Sequence, residues 1–188
     1  MPFEFVPLEI SGLKVIKPRL YGDDRGYFLE LYKRSDFSKA GIRELFVQDN
    51  YSQSVKGVLR GLHYQKNPTA QGKLVSCIKG MIYDVAIDIR KGSPHYGKWA
   101  AVELTEENKY LLYVPPGFAH GFQVISDSAA VMYKCTQEYS AVDDRGVIWN
   151  DPDINVVWPL KNPLLSEKDK MHPPLTDADN NFEFTGST

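Results

Sequence analysis

The chain has 188 residues, 43% of them hydrophobic, and this length and composition fit one domain with its own core. Lys and Arg number 22 against 24 Asp and Glu, and the formal net charge of −2 argues against a nucleic-acid binder held by bulk positive charge. No segment reaches the ~20 apolar residues of a membrane-spanning helix, and the first residues show no basic patch before an apolar run, so neither a membrane span nor an export signal is predicted. Cys77 and Cys135 form neither a CxxC pair nor a disulfide framework, which favours a reducing cytoplasm.

Glycine and proline punctuate the chain at short intervals, and this rhythm predicts a predominantly antiparallel all-β domain of the sandwich or barrel type. The strand candidates, in chain order, are residues 47–55, 58–64, 73–79, 81–90, 100–104, 110–114, 121–125 and 129–139. Helix is scarce: a short helix is predicted over residues 35–40, before Gly41, and a single turn opens at Ser166. We interpret residues 1–175 as one domain and residues 176–188 as a polar tail with loose order.

Two of these strands show a clear alternation of side chains. In residues 81–90, one face of the strand is apolar and carries Tyr83, Val85, Ile87 and Ile89. The opposite face carries Asp84, Ala86, Asp88 and Arg90. Residues 129–139 place on a single side Val131, Tyr133, Cys135, Gln137 and Tyr139. The second strand therefore brings two phenols to one wall.

Two of the four histidines stand in unusual surroundings. His63 follows Arg60 and a glycine, and His120 ends a Pro-x-Gly-x-x-His turn. A single histidine in a β protein more often has a structural role, because imidazole can make many polar contacts. His95 and His172 lie beside prolines and are predicted to be surface residues.

The segments 57–65 and 115–122 resemble the two sequence motifs of cupins, which are small jelly-roll barrels that mostly bind a metal through several His and a Glu. Here His63 is followed by Tyr64 and Gln65, where a metal cupin would have a second histidine. Lys73 stands where the carboxylate ligand would be expected, and a cation repels a divalent metal. We therefore expect no metal at these positions.

One family within the cupins also lacks these metal ligands. From about residue 5 to about residue 170, the chain resembles the dTDP-4-dehydrorhamnose 3,5-epimerases, which lack the metal. The resembling segments are 24–30, 46–50, 57–65, 73–75, 83–88, 116–122, 133–136, 149–152 and 165–169. Among these, the pair Leu59–His63 and Gly117–Phe122 is the most specific.

The resemblance implies a cofactor-independent isomerase that inverts C3 and C5 of dTDP-4-dehydro-6-deoxy-D-glucose to give dTDP-4-dehydro-L-rhamnose. This product leads to dTDP-L-rhamnose for polysaccharide biosynthesis. A ketone at C4 acidifies the hydrogens on C3 and C5, so proton removal gives an enolate and reprotonation on the opposite face inverts the centre. The resemblance also implies a homodimer in which N-terminal strands pack onto the partner.

The same resemblance implies roles for the catalytic side chains. His63 is the base, and Asp169 orients it and stabilises its charged form. Lys73 faces the C4 oxygen, and Tyr133 is the acid on the other face of the sugar. Without the resemblance, Lys73 reads as a solvated lysine, Tyr133 as a core aromatic and Asp169 as a helix cap.

Further residues are implied in substrate binding. Arg25 and Arg60 resemble the family's diphosphate contacts, since guanidinium pairs well with phosphate oxygens. The base stacks on Tyr139, with Phe28 as a second face. The remaining polar contacts are assigned to Glu30, Gln48, Asn50, His120, Asp144 and Lys168. Asp144 departs from the family, which usually has Glu there. We expect Arg25, Phe28 and Glu30 to complete the partner's pocket.

A regular strand would point Arg60 and His63 to opposite faces, although both are assigned to one cavity. Because glycine permits a bulge, we predict an irregularity in the strand ladder near Gly61.

Three alternatives stay open. The first is a related enzyme that inverts only C3 or only C5, or that takes a different nucleotide. The second is a metal-dependent cupin oxygenase or isomerase, and the third is a non-catalytic module that binds a nucleotide sugar.

Overall fold

The computed structural model describes residues 2–186 as a β-rich domain with little helix. The strands are β1 (Phe3–Pro7), β2 (Lys14–Pro18), β3 (Tyr21–Asp23), β4 (Gly26–Phe28), β5 (Gln48–Val55), β6 (Leu59–Gln65), β7 (Lys73–Lys79), β8 (Met81–Asp88), β9 (Trp99–Thr105), β10 (Leu111–Val114), β11 (Phe118–Val124), β12 (Ser128–Cys135) and β13 (Asp144–Gly146). The helices are α1 (Arg34–Lys39), α2 (Glu167–Lys170) and a 3-10 turn (Leu175–Asp177). Within residues 2–186, no helix has the length and apolar character needed to cross a membrane.

Two antiparallel sheets form the body of the domain. The six-stranded sheet has the order β1-β2-β10-β7-β12-β5, and the five-stranded sheet has the order β13-β6-β11-β8-β9. Apolar side chains from both sheets fill the space between them, among them Val75, Val131, Ile82 and Phe122. The predicted all-β, cupin-type jelly-roll architecture is confirmed.

The eight predicted strands are all present, with small differences at their ends. β12 ends at Cys135, so Tyr139 follows the strand instead of lying on it, and β11 begins earlier, at Phe118. Sequence alternation did not predict β1 to β4 or β13, because these strands are only three to five residues long. β3 and β4 form a separate two-stranded hairpin whose residues are all exposed.

The irregularity predicted near Gly61 is confirmed. β11 pairs His120 with His63 but Phe122 with Arg60, so β6 carries one extra residue across this stretch. Gly61 has a φ of 141°, and a Cβ on it would lie 2.6 Å from the Cα of Gly121. Only glycine fits this close approach, and the extra residue resets the alternation of β6.

The C-terminal part of the chain covers the outer face of the five-stranded sheet. A second apolar cluster joins side chains on and just after β8 to residues that follow β13, namely Val85, Ile87, Ile89, Val147, Ile154, Leu175 and Phe182. Both faces of β8 are therefore buried, which explains its near-continuous apolar sequence.

Residues 176–186 are not the loosely ordered tail that their polarity predicted. Phe182 is buried, and the backbone N–H of Lys91 donates to its carbonyl at 2.9 Å. The side-chain amide of Asn180 is also buried and donates to the carbonyl of Ile89. The polar residues here satisfy backbone groups of the barrel, a role that composition does not reveal. Residues 187 and 188 of the predicted tail, and Met1, lie outside the described residues.

Candidate active site

A cavity opens between the two sheets and has two adjoining lobes of about 430 Å³ and 390 Å³. The first lobe is walled by β6, β7, β11 and β12 and by residues 164–169. The second extends past the end of β12 towards Tyr139 and Asp144. Side chains that line both lobes are His63, Lys73, Tyr133 and Lys168. These volumes are in the range of small-molecule sites.

His63 and Asp169 form a close pair in the cavity wall. His63 Nε2 lies 2.5 Å from Oδ1 of Asp169, which leaves Nδ1 as the basic nitrogen of the ring. Burial lowers the pKa of His63, although Asp169 acts in the opposite direction, so the ring is neutral near pH 7. Burial acts to raise the pKa of Asp169, but the neighbouring rings of His172 and His63 hold it well below its usual range.

Ser166 places Asp169 in this pair. The side chain of Ser166 caps α2 and accepts a hydrogen bond from the backbone N–H of Asp169 at 3.1 Å. The helical turn predicted to open at Ser166 is therefore present. The Asp169 carboxylate is aimed at the imidazole and does not act as the cap.

Lys73 starts β7 and lines both lobes, so it is not the solvated lysine that its residue type alone would suggest. Its ammonium group lies 3.5 Å from the carbonyl of His63. Burial lowers the pKa of Lys73, and nearby acidic groups oppose this effect only in part. The side-chain amine of Lys73 therefore lies close to the His63 residue inside the cavity.

Tyr133 lies on β12, in the six-stranded sheet, whereas His63 lies on β6, in the five-stranded sheet. The two side chains therefore reach the same cavity from opposite walls. Burial raises the pKa of Tyr133 above its ordinary value, so the phenol stays protonated and available as a proton donor.

A second imidazole–carboxylate pair lies directly beside the first. His120 is the cross-strand neighbour of His63, and its Nε2 lies 2.5 Å from Oδ1 of Asp84, which is fully buried. The sequence analysis placed Asp84 on one face of its strand but did not predict its contact with His120. The available signal was an acidic residue on the same face as Ala86, inside a largely apolar strand.

His172 was predicted to lie on the surface, and this was wrong. Its side chain is only 9% exposed, and its ring packs edge-on against His63 with centroids 5.5 Å apart. Its Nε2 lies 3.7 Å from Oδ1 of Asp169. The three-residue spacing from Asp169 on a helical turn was the signal that could have placed it there.

The second lobe gathers most of the polar side chains assigned to the nucleotide. Tyr139 donates its hydroxyl to Asp144 at 3.0 Å, and Lys168 also pairs with Asp144. Gln48 donates to Asn50 at 3.0 Å and accepts from the backbone N–H of Tyr139 at 2.8 Å. The exposed ring of Tyr139 is thus held at the cavity mouth by contacts at both ends.

Arg60 lines the first lobe and donates to Ser54 at 3.1 Å, so the bulge does bring it to the same cavity as His63. Three other assigned residues are not brought there within one chain. Arg25 and Phe28 lie on the exposed β3–β4 hairpin, where Arg25 pairs with Asp23, and Glu30 follows that hairpin.

The fold and the site together define a class of protein. A jelly-roll barrel holds two imidazole–carboxylate pairs, a half-buried lysine amine and a protonated phenol around one cavity. These groups suit an enzyme that moves protons on a carbon acid beside a carbonyl.

Comparison with known proteins names the family. The family model described as dTDP-4-dehydrorhamnose 3,5-epimerase matches residues 7–177. A dTDP-4-dehydrorhamnose 3,5-epimerase from Shigella flexneri is 51% identical over 175 residues, covering 93% of this chain and 97% of that protein. The chain belongs to the dTDP-4-dehydrorhamnose 3,5-epimerase family, and it is an epimerase, a type of isomerase.

Solved structures agree with this assignment. The dTDP-6-deoxy-D-glucose-3,5-epimerase of Legionella pneumophila, in complex with dTDP-4-keto-L-rhamnose, has a TM-score of 0.89 at 45% identity and covers 93% of each chain. The dTDP-4-dehydrorhamnose 3,5-epimerase of Sulfolobus tokodaii has a TM-score of 0.91 at 46% identity, covering 97% of this chain and all of that one. Both are similar to this chain over nearly its whole length.

Proposed function

We propose that this protein inverts C3 and C5 of dTDP-4-dehydro-6-deoxy-D-glucose and releases dTDP-4-dehydro-L-rhamnose. The observation that carries the proposal is the placement of His63 and Tyr133 on opposite walls of one cavity that also contains Lys73. Inversion of a carbon centre needs a proton acceptor and a proton donor on opposite faces of the sugar, which this placement offers.

His63 begins each inversion. Its Nδ1 takes the proton from a carbon next to the C4 ketone, and the electron pair of that C–H bond moves into an enolate. The Asp169 carboxylate, 2.5 Å from Nε2, stabilises the imidazolium that forms. Lys73 stabilises the negative charge that develops on the C4 oxygen.

Tyr133 completes the inversion from the other wall. Its phenol gives a proton to the carbanion carbon, and the electrons of the enolate return to the C4 carbonyl. The proton on His63 is returned to solvent, and the phenolate regains one, so the reaction needs no oxidant, reductant or metal. His120, supported by Asp84, hydrogen-bonds the sugar beside Lys73.

The second lobe holds the nucleotide. Tyr139 stacks on the base, and Gln48 and Asn50 contribute polar contacts from β5. Asp144 is one carbon shorter than the Glu usual in the family, and it is held in place by Tyr139 and Lys168. Arg60 contacts the diphosphate from the first lobe.

The decisive experiment is incubation of the protein with the 4-keto nucleotide sugar in heavy water. Deuterium at both C3 and C5 supports double inversion, whereas deuterium at one carbon favours the single-inversion alternative. A protein that binds the sugar without any exchange would be a binding module. The His63→Ala variant must bind the ligand but lose exchange; if it keeps exchange, the mechanism is wrong. Stoichiometric iron or manganese in the purified protein would favour the metal-dependent cupin alternative.

We further propose that the enzyme is a homodimer in which the β3–β4 hairpin of one chain reaches the cavity of the other. This would explain why Arg25 and Phe28, on an exposed hairpin, lie away from the cavity of their own chain. Exposed apolar side chains on the six-stranded sheet, Tyr51, Val55 and Ile78, offer a surface for such contact. Glu30 lies just after the hairpin and would reach the partner's cavity together with it.

Mixed dimers test the shared site. A His63→Ala chain and an Arg25→Ala chain are each weakened alone, because every cavity carries a defect. In a mixed dimer, one cavity combines His63 of one chain with Arg25 of the other and is intact. Recovered activity on mixing supports the exchange, and no recovery in verified mixed dimers contradicts it.

The place of the enzyme in the cell follows from its chemistry. Both cysteines, Cys77 and Cys135, are buried thiols without a disulfide, as suits a reducing compartment. We therefore place the enzyme in the cytoplasm, where it supplies dTDP-L-rhamnose synthesis for polysaccharide assembly. Fractionation of the host cell with detection of this chain is the test.

A further inference from the structure

A third side chain turns the base and its carboxylate into a compact three-membered cluster. Oδ1 of Asp169 lies 2.5 Å from Nε2 of His63 and 3.7 Å from Nε2 of His172. One ligand atom from each of the three residues lies within 4.8 Å of the other two. We propose that this cluster is a zinc-binding site through which Zn²⁺ inhibits the enzyme.

His172 is the observation that points to a ligand. Its side chain is 91% buried, and among the described residues its Nε2 has no hydrogen-bond partner. Buried imidazole nitrogens are normally satisfied, so a polar atom aimed at a carboxylate and another imidazole is a place for a cation. The ring packs closely over Gly146: a Cβ at that position would lie 2.6 Å from Cδ2 of His172, so glycine leaves the room that the ring occupies.

The ligand set matches zinc. Two imidazoles and one carboxylate, with a fourth position open to the cavity, form the usual three-ligand zinc arrangement. Tetrahedral ligands at ~2.1 Å from zinc lie about 3.4 Å apart. The 3.7 Å between Asp169 and His172 is close to this spacing, and the contact between Asp169 and His63 must open by about 0.9 Å, a small side-chain rotation. Mg²⁺ prefers oxygen ligands and a larger coordination number, so it is excluded.

Zinc at this position would stop the chemistry. Zinc accepts the lone pair of Nε2 of His63, so the single proton of the neutral ring moves to Nδ1, which can then take no proton from the sugar. The ion also takes the Asp169 carboxylate that supports the imidazolium; this part rests on the proposed function. This zinc site differs from the metal site of cupins, with which it has only His63 in common. Lys73 replaces a ligand of the cupin site, but it replaces no ligand of the site proposed here. Lys73 and Lys168 both lie near His63 and weaken the binding of a divalent cation, which makes the site reversible instead of structural.

Direct binding tests the site without reference to activity. The chelator-stripped full-length protein is titrated with ZnCl₂ by calorimetry, and we expect one ion per chain and no heat with MgCl₂. His172→Phe should raise the apparent Kd at least about tenfold, since loss even of supporting groups costs 10–100-fold. His95→Phe removes a histidine outside the cluster and should bind zinc as the wild type does. Equal zinc binding by the wild type and His172→Phe would overturn the site.

Two further measurements keep the proposal testable if His172→Phe does not fold. X-ray absorption at the zinc edge of the wild-type complex should show two imidazole ligands, and one or none would overturn the site. Zinc should also stop exchange of the sugar hydrogens in the wild type, with relief by EDTA. A zinc-loaded enzyme that still exchanges would overturn inhibition and the assignment of His63 as base, whereas the binding and absorption results concern the site alone.

Discussion

Replacing Asp169 with Asn isolates the negative charge that supports His63. The two side chains have nearly the same shape, and the backbone N–H of residue 169 keeps its hydrogen bond to Ser166, so α2 keeps its cap. The carboxylate lies 2.5 Å from Nε2 of His63 and is only 3% exposed, so water cannot replace it. A hydrogen bond to a charged group contributes about 1.5–3 kcal/mol. At about 1.36 kcal/mol per factor of ten, its loss lowers the rate about 10- to 160-fold.

A second effect enlarges this loss. The amide of Asn presents donors as well as an acceptor, and it can turn the imidazole to the tautomer in which Nδ1 carries the proton. In the serine-protease triad, the equivalent change lowers kcat by about 10⁴-fold, which gives an upper limit. We therefore expect the kcat of Asp169→Asn to fall between about 10-fold and 10⁴-fold, with little change in KM.

The assay follows deuterium incorporation at C3 and C5 by NMR, with thermal unfolding measured in parallel. Asp127→Asn is the matched control, because it removes the same charge from a fully exposed side chain. The control should keep the wild-type kcat. A folded Asp169→Asn protein with the wild-type kcat would refute the role of the carboxylate.

Three other changes test separate parts of the structure. Tyr133→Phe should lower product formation about 10²–10⁴-fold while leaving hydrogen exchange on the opposite face, and mass spectrometry of sugar and product in heavy water checks this. Gly61→Ala should lower the free energy of unfolding by about 2–5 kcal/mol, because the new Cβ adds backbone strain and overpacking. Gly57 also has a positive φ but has open space around it, so Gly57→Ala should lower the free energy of unfolding by only about 1–2 kcal/mol. Urea unfolding measures both values. Burial acts to raise the pKa of Asp88, but Arg90 and other hydrogen-bond partners hold this pKa below its usual range. The Asp88 carboxylate therefore stabilises the folded protein above about pH 4, and this stabilisation is lost as the pH falls through the folded pKa. Asp88→Asn should be less stable at pH 7 and show a flatter acid limb; parallel acid limbs for both proteins would contradict this.

Much of the barrel was predictable because its long strands alternate cleanly. β8 and β12 carry their pattern over eight residues each, enough to fix which side chains share a face. The hairpin β3–β4 offered only three residues per strand, and no periodicity can be read from so few. The bulge at Gly61 was predictable because two assigned residues, Arg60 and His63, conflicted with strand parity.

The site was less accessible to sequence reasoning because its pairs join distant parts of the chain. Asp84 and His120 are 36 residues apart, and nothing local couples them. His172 was misjudged because prolines beside it suggested a surface loop, whereas the turn that carries Asp169 folds it inward. Phe182 was misjudged in the same way, since a polar segment hid the apolar side chain that anchors it.

The covering of the five-stranded sheet by residues that follow β13 has a consequence for biosynthesis. On the ribosome, the thirteen strands of the described residues are all made before Leu175 and Phe182, which cover the outer face of β8. A nascent chain that ends before Leu175 and Phe182 therefore exposes apolar side chains on the outer face of β8, which chaperones can bind. Asp169 arrives within that same late segment. The last part of the chain therefore supplies both the outer apolar cover of the sheet and the carboxylate that pairs with His63.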